Sequence, residues 1–253
     1  MIRVSIIGSG NVAQHLIKVF SLNTDIELVQ IFVRNKKTVL NLISSDKIFS
    51  NYKNFIPVDV VIIAVTDGAI DLVYQELPFT SQLIVHTSGT FSLEALKNKN
   101  RTGVFYPLQT FSKSKEIDFK TIPICIEAQN ENDYKTLEHV AHSISNSVHR
   151  INTKQRLSLH VAAVYVCNFT NYMYTIGNDI CNLNNLSFEI LKPLIQETAN
   201  KIMLLSPAMA QTGPAIRKDT GTLKTHLDFL TNDNQKEIYK LLTKSIIDNG
   251  NKL

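Results

Sequence analysis

An α/β fold is predicted for this chain: a parallel sheet with helices on both faces, followed by an all-α half. Three observations predict it. Over the first 150 residues, short β-branched apolar runs alternate with helix-period segments, the pattern of βαβ units. One such run, residues 59–65 (Asp-Val-Val-Ile-Ile-Ala-Val), is almost wholly apolar, as a strand is when its sheet is covered on both sides. From Thr153 onward the periodicity is helical and no strand-like run recurs.

The elements follow in order. Residues 3–7 form a β-branched run closed by Gly8 and read as a buried strand. Val12, Leu16, Val19 and Phe20 then share one helical face. Residues 27–33 read as a strand, 36–45 as a helix, 59–65 as a strand and 68–77 as a helix. Residues 82–86 are a further strand broken by Ser88-Gly89, and Ser92 is placed to cap a short helix through Leu96. Residues 103–106 form a strand stopped by Pro107. The run 123–127, a helix over about 132–145 and a strand over 147–151 complete the first domain. Thr153 is a plausible N-cap for a long helix to about residue 180. Further helices are expected from Leu186-Ser187 to about 205, over about 220–230 and over about 235–248. Two domains are expected, 1–152 and 153–253, since 253 residues exceed the usual single core of about 100–150.

Bulk properties narrow the function. Charged residues make up 19% of the chain and no tract is rich in charge, Pro or Gly, which argues against disorder. The net charge of +4 suits an anionic ligand, but its Lys and Arg residues are dispersed, which argues against nucleic acid. Cys125, Cys167 and Cys181 are too widely spaced for a metal site or a disulfide framework. His139, His142 and His149 lack ligand geometry, so no metal is expected. The opening run to Gly8 is too short for a signal peptide, and no window reaches the roughly 18 apolar residues of a membrane span. A soluble cytoplasmic protein with no membrane partner is the expectation.

The first candidate site is Gly8-Ser9-Gly10-Asn11-Val12-Ala13, a GxGxxA loop between a strand and a helix. Gly8 permits the tight turn and Gly10 lets backbone approach a pyrophosphate. Ala13 is small enough for close helix–strand packing. The helix N-terminus adds free amides and a partial positive charge. This is the fingerprint of a Rossmann-type dinucleotide-binding domain. No acid lies between Gln30 and Lys37 to grip a ribose 2′-hydroxyl, whereas Arg34 stands where a 2′-phosphate would sit. NADP(H) is therefore expected over NAD(H).

Ligands of open parallel sheets sit beyond the carboxyl ends of the strands. Three such ends carry polar groups: Val65-Thr66-Asp67-Gly68, His86-Thr87-Ser88-Gly89 and Tyr106-Pro107-Leu108-Gln109. Val65, Thr66, Asp67 and Ser88 are candidate cofactor contacts, and Gln109 a pocket residue. Asp67 is equally an N-cap for a helix beginning at Gly68. His86 is either a proton donor or a packed, hydrogen-bonded residue. The helix after Thr153 is apolar nearly all round and is expected to be buried. On a regular helix His160, Val164, Cys167 and Asn171 share one stripe, with Asn168 beside it. Buried polar groups there need partners, at roughly 1–3 kcal/mol each, so the stripe faces a pocket or bonds to neighbouring helices. Arg217, in Gly-Pro-Ala-Ile-Arg-Lys-Asp (213–219), either clamps a substrate carboxylate or pairs with Asp219.

Taken together, residues 7–13 (Ile-Gly-Ser-Gly-Asn-Val-Ala), 85–89 (Val-His-Thr-Ser-Gly), 103–112 (Gly-Val-Phe-Tyr-Pro-Leu-Gln-Thr-Phe-Ser), His160 with Asn168, and 213–219 with His226 resemble bacterial proteins that join a Rossmann-like domain to the domain-of-unknown-function family 2520. The group is similar to pyrroline-5-carboxylate reductase, ketopantoate reductase, 3-hydroxyisobutyrate dehydrogenase and the deazaflavin-dependent NADP oxidoreductases, within the 6-phosphogluconate/hydroxyacid dehydrogenase-like superfamily. The resemblance implies an NADP-binding domain, a helical domain that dimerises, and an active site between the two. It also brings out a departure: the hydroxyacid and ketopantoate enzymes carry a catalytic Lys where this chain has His160. The expected function is an NADP(H)-dependent oxidoreductase acting on a small, anionic carbonyl, hydroxy or imine compound. His160 would be the proton donor, oriented by Asn168, and Arg217 the carboxylate clamp. The rival reading is a non-catalytic NADP(H)-binding sensor or scaffold dimer.

Overall fold

A computed structural model describes residues 1–96 and 100–250 of the chain. It falls into two compact units, Met1–Cys167 and Asn168–Leu253. Residues 153–167 therefore belong with the sheet, although the change from strands to helices occurs near residue 152.

The first unit is built on one eight-stranded sheet of order β3-β2-β1-β4-β5-β6-β7-β8. Its strands are β1 (Ile2–Ile7), β2 (Ile26–Phe32), β3 (Ile48–Phe49), β4 (Val60–Ile63), β5 (Leu83–His86), β6 (Arg101–Pro107), β7 (Ile124–Ala128) and β8 (Val148–Arg150). Strands β1 to β6 run parallel. Side chains alternate across the sheet, so Val4, Ile6, Val60 and Ile62 enter one core while Ile7, Val61 and Ile63 enter the other. Helices α1 (Asn11–Ser21) and α3 (Glu131–Ile144) seal the first face with Leu16, Ile17, Phe20, Leu137 and Val140. Helix α2 (Asp67–Glu76) seals the second with Ile70 and Tyr74. The predicted doubly covered sheet is what the chain adopts.

Three local expectations are corrected. The helix expected over 36–45 is replaced by single 3-10 turns at Lys36–Thr38 and Ser45–Lys47, followed by the two-residue β3. Here polar side chains compete with the helix: Asn35 accepts from the Lys37 amide and Thr38 donates to the Asn35 carbonyl. The sheet is not parallel throughout, because β7 runs antiparallel to β6 and β8 follows β7. Between β6 and β7 the only helical piece is the 3-10 turn Phe119–Thr121, and without a crossover helix the chain returns antiparallel. Finally, the long helix after residue 152 runs on as expected but is not α-helical throughout. Helix α4 (Thr153–Ala163) passes into a π-helical turn, Val164–Phe169, and then α5 (Thr170–Leu183). Its N-cap is Asn152, in a reciprocal capping box with Gln155, and not Thr153.

The second unit continues with α6 (Lys192–Leu204), α7 (Pro207–Ala210), α8 (Thr220–Phe229) and α9 (Asp233–Gly250). The helical stretch after Thr153 is not buried as expected: Val161, Tyr165, Val166 and Phe169 are all at least half exposed in the single chain. An apolar surface is buried only where something covers it, and sequence cannot show what does.

Candidate functional site

The loop between β1 and α1 has the geometry its glycines imply. Gly8 sits at φ +132°, and a Cβ there would lie 2.1 Å from the Ala64 carbonyl oxygen. Only glycine fits, and its absence of a side chain lets β1 and β4 converge at this point. Gly10 caps α1, and a Cβ on it would meet nothing within 4 Å, so its outer face is open. The first helical bond runs from the Gln14 amide to the Gly10 carbonyl, which places the amides of Asn11, Val12 and Ala13 ahead of the helix's own bonding. No acidic residue occupies the first turn to compete with an anion. Ala13 is fully buried against the sheet. Ser9 contributes its carbonyl, which accepts from the Gln14 side chain at 2.9 Å. The Asn11 side chain faces a different task from phosphate binding: Nδ2 donates to the Phe111 carbonyl at 2.7 Å. His15 Nε2 reaches the Ser112 carbonyl at 2.9 Å. The segment after β6 is thus strapped to the tip of α1.

Arg34 is exposed just beyond β2, beside the exposed Lys36 and Lys37. Val65 and Thr66 lead from β4 into α2, which Thr66 caps and which begins at Asp67, so Asp67 is not the cap. Its carboxylate instead accepts from the Thr90 hydroxyl at 2.5 Å, tying the β4 end to the β5 end. Ser88 is buried, and its Oγ accepts from the amides of Thr90 and Phe91 at 3.1 and 2.9 Å. Its hydroxyl therefore shapes the loop. The Gln109 side chain accepts from the neighbouring Thr110 amide. His86 resolves as a packed residue. It is fully buried, its Nδ1 accepts from the Ser88 amide at 3.2 Å, and its ring meets Phe91 edge-on at 5.4 Å. Burial drives its pKa down to about 3, the Arg156 guanidinium adds to this, and Asp67 opposes it. A ring so held stays neutral and donates no titratable proton near neutrality.

The buried polar contacts converge on α4. Arg156 is fully buried and pairs with Glu127 of β7, while its Nη2 donates to the Phe91 carbonyl at 2.6 Å. Glu127 also accepts from the Thr153 amide and hydroxyl at 2.8 and 2.9 Å. These bonds hold α4 against the sheet and against the loop after β5. One turn on, His160 lies on that loop: a Cβ on Gly89 would fall 2.4 Å from its Nδ1. Its Nδ1 is also 3.0 Å from Tyr106 Oη at the end of β6. Burial pushes the Tyr106 phenol up to about 12, with Cys125 beside it adding to the rise. The structure thus brings His160 to the Ser88-Gly89 loop, as the shared strand-end logic suggests. It adds Arg156, which sequence reasoning passed over, and Tyr106, which it placed at a strand end without giving it a role. Their signals were present: Tyr106 ends a strand on the ligand side, and Arg156 precedes His160 by one turn.

Asn168 opens the second unit, exposed and inside the π-helical turn, where 3.6-residue spacing no longer applies. Arg217 is exposed, in the turn after Gly213, whose φ is +109°. Asp219 does not staple that turn through Arg217. It caps α8 by accepting from the Thr222 amide and hydroxyl at 3.0 and 2.8 Å, and those bonds, with lesser help from Arg217, hold its carboxyl below the usual range. His226 Nδ1 lies 2.8 Å from Tyr239 Oη. Among the described residues no group of three or more His, Cys, Asp or Glu is placed to hold a metal, and no helix is long and apolar enough to cross a membrane.

Residues 122–246 match the family model described as Domain of unknown function (DUF2520). A Bacteroides fragilis protein solved as a candidate NADP oxidoreductase is 36% identical over 98% of each chain, with a TM-score of 0.86. A Plasmodium falciparum pyrroline carboxylate reductase with NADP bound is 13% identical over 99% of this chain and 98% of its own, at a TM-score of 0.62. An imine reductase from Myxococcus stipitatus in complex with NADP+ is 12% identical over 99% of this chain and 93% of its own, at 0.63. At such identities the last two share the fold alone. No curated protein matches the chain.

Proposed function

This chain belongs to the Domain of unknown function (DUF2520) family, and from that premise we propose that it is an NADP(H)-dependent oxidoreductase acting on a small carbonyl, hydroxy or imine compound. One observation carries the reading. The β1–α1 loop offers a cradle that a side chain would fill, with Gly8 pressed on Ala64 and Gly10 open, in a chain 36% identical to a candidate NADP oxidoreductase. The residues fit a dinucleotide diphosphate: Gly8, Ser9 and Gly10 supply the turn, and the amides of Asn11, Val12 and Ala13 supply donors. Arg34 supplies the bidentate cation for a 2′-phosphate. Val65, Thr66 and Asp67 border the same strand ends, with Ser88 shaping the next loop.

A bound nicotinamide would supply or accept hydride. The chain's own residues handle the rest. His160 presents a ring nitrogen for the proton, Gly89 and Tyr106 fix where that ring lies, and Arg156 holds its helix in place. Asn168 and Arg217 are proposed to orient the proton donor and to bind a substrate carboxylate. A second copy of the chain is the proposed partner of the helical unit. On α6, Leu194 and Ile202 lie within one arc, both about half or more exposed, and on α5 Leu183 is 72% exposed. Where exposed large apolar side chains gather into one patch, they mark an association site in soluble proteins.

Titration with NADPH and with NADH, followed by nicotinamide fluorescence, tests the cofactor assignment. NADPH should bind tighter, and Arg34→Asp should remove about 10- to 100-fold of that preference, the worth of roughly 1.5–3 kcal/mol in charged hydrogen bonds. Equal affinity for both cofactors in the wild type would discard the role of Arg34.

A further inference from the structure

A pairing of titratable side chains at the strand ends joins Tyr106 of β6 to His160 of α4, 54 residues apart in sequence. Tyr106 is only 9% exposed, and its hydroxyl lies 3.0 Å from His160 Nδ1, with the rings 6.1 Å apart. Burial, with the neighbouring Cys125 thiol, pushes the phenol up to about 12, and Cys125 itself is pushed up to about 11 by burial. Both therefore keep their protons at neutral pH. The Tyr106 hydroxyl can donate or accept, but His160 Nδ1 is its one hydrogen-bond partner among the described residues, so accepting from the ring would leave the buried O–H without an acceptor; the O–H therefore donates to Nδ1. That nitrogen must then carry the lone pair, and the ring's own N–H must sit on the other nitrogen. The Gly89 backbone closes the same edge of the ring, since a Cβ there would lie 2.4 Å from Nδ1 and 2.7 Å from Cγ. Nδ1 is thus enclosed by two elements of the sheet unit, and Nε2 is the nitrogen left to meet a ligand.

We propose that Tyr106 is a positioning residue that fixes His160 as the Nε2–H tautomer, making this histidine a hydrogen-bond donor towards the substrate. The inference rests on His160 facing the substrate, as proposed above. It narrows the substrate class. The atom that meets Nε2–H must bear a lone pair, so a carbonyl oxygen or an unprotonated imine nitrogen fits. A protonated iminium or ammonium group, itself a donor, leaves two donors face to face. The group bound at this nitrogen is therefore one with a free lone pair, and cationic iminium or ammonium forms are disfavoured there.

Two-bond 1H–15N spectra of the histidine rings in the uniformly 15N-labelled full chain test this, with His160 assigned by its loss in His160→Gln. The wild type should show His160 Nδ1 as an unprotonated nitrogen whose resonance is shifted by hydrogen bonding, and Nε2 as the N–H. In Tyr106→Phe the Nδ1 resonance should return to the value of a non-bonded ring nitrogen. A wild-type ring carrying its proton on Nδ1 overturns the proposal even if Tyr106→Phe does not fold, and so does an Nδ1 resonance unchanged in a folded Tyr106→Phe. NADPH affinity in the same samples separates the two readings. Loss of nucleotide binding in the wild type would sink the proposed function with the tautomer intact, whereas a wrong tautomer with binding retained sinks only this inference.

Discussion

The two units solve the burial problem in opposite ways. In Met1–Cys167 the strands bury Val4, Ile6, Ile62, Val85 and Phe105 completely, and even a charged side chain, Arg156, is fully enclosed with Glu127 as its partner. In Asn168–Leu253 only Cys181, Ala215 and Leu230 are buried among the described residues, and none of them completely. The ion pairs Lys192–Glu189, Lys224–Asp228 and Lys240–Glu237 each join solvent-exposed near neighbours in sequence. Such exposed pairs are worth about 0.3–0.5 kcal/mol each. A sheet covered on two faces completes a core within one chain. Helices with apolar stripes on several sides do not. The lesson is that the first unit buries its apolar side chains within itself, while much of the second unit's apolar surface is exposed in the single chain.

The sharpest way to break this contrast is Arg156→Met. It leaves Glu127 with an uncompensated charge and frees the Phe91 carbonyl, so urea unfolding should show a loss of about 3–5 kcal/mol. Arg156→Met with Glu127→Leu should recover part of it, because replacing both partners removes the orphaned charge. A loss below about 1 kcal/mol in the single variant would show that α4 is not held to the sheet through this pair.

How far the sequence carried the reading follows the same divide. The β1–α1 loop and β4 were legible because their signals are local: glycine needs at fixed positions and a run apolar on both faces. The antiparallel turn of β7 was not, since it follows from a missing crossover helix that periodicity does not register. Nor was the pairing of Tyr106 with His160 or of Arg156 with Glu127. Each joins distant positions, and a strand-end tyrosine has no sequence signal for which helix will cover it. The helix after Thr153 read as buried because its residues are apolar all round. Composition registers the need for cover and not whether one chain provides it.

Acid should separate the units next. Folded His86 has its pKa lowered to about 3, below the ordinary 6.5 of the unfolded chain. Above pH 6.5 both states are neutral at this ring and nothing is lost. As pH falls, the unfolded state gains a proton that the folded state refuses, so stability drops by about 1.4 kcal/mol per pH unit until about pH 3. Between pH 6.5 and 5 that amounts to about 2 kcal/mol, and His86→Asn should flatten this part of the slope. In the helical unit the depressed carboxyl is Asp219, whose contribution is present above the ordinary carboxylate value of 3.8 and is lost only below it. Urea unfolding at pH 7, 6 and 5 reads the difference. An identical slope in His86→Asn would remove His86 as the cause.

The smallest effect on folding belongs to Leu194→Glu, and it probes the unfinished surface directly. Leu194 is 62% exposed on α6, so its replacement should change the stability of the isolated chain by no more than about 0.5 kcal/mol. Its effect should fall on association. A charge introduced at the centre of an apolar contact must be desolvated without a partner, which an interface of ordinary affinity does not survive. Sedimentation should find the wild type as a dimer and Leu194→Glu as a monomer with its sheet unit intact. A wild type that sediments as a monomer at every concentration would mean that the helical unit stays uncovered by its own kind, and the contrast between the two halves would then call for a different partner.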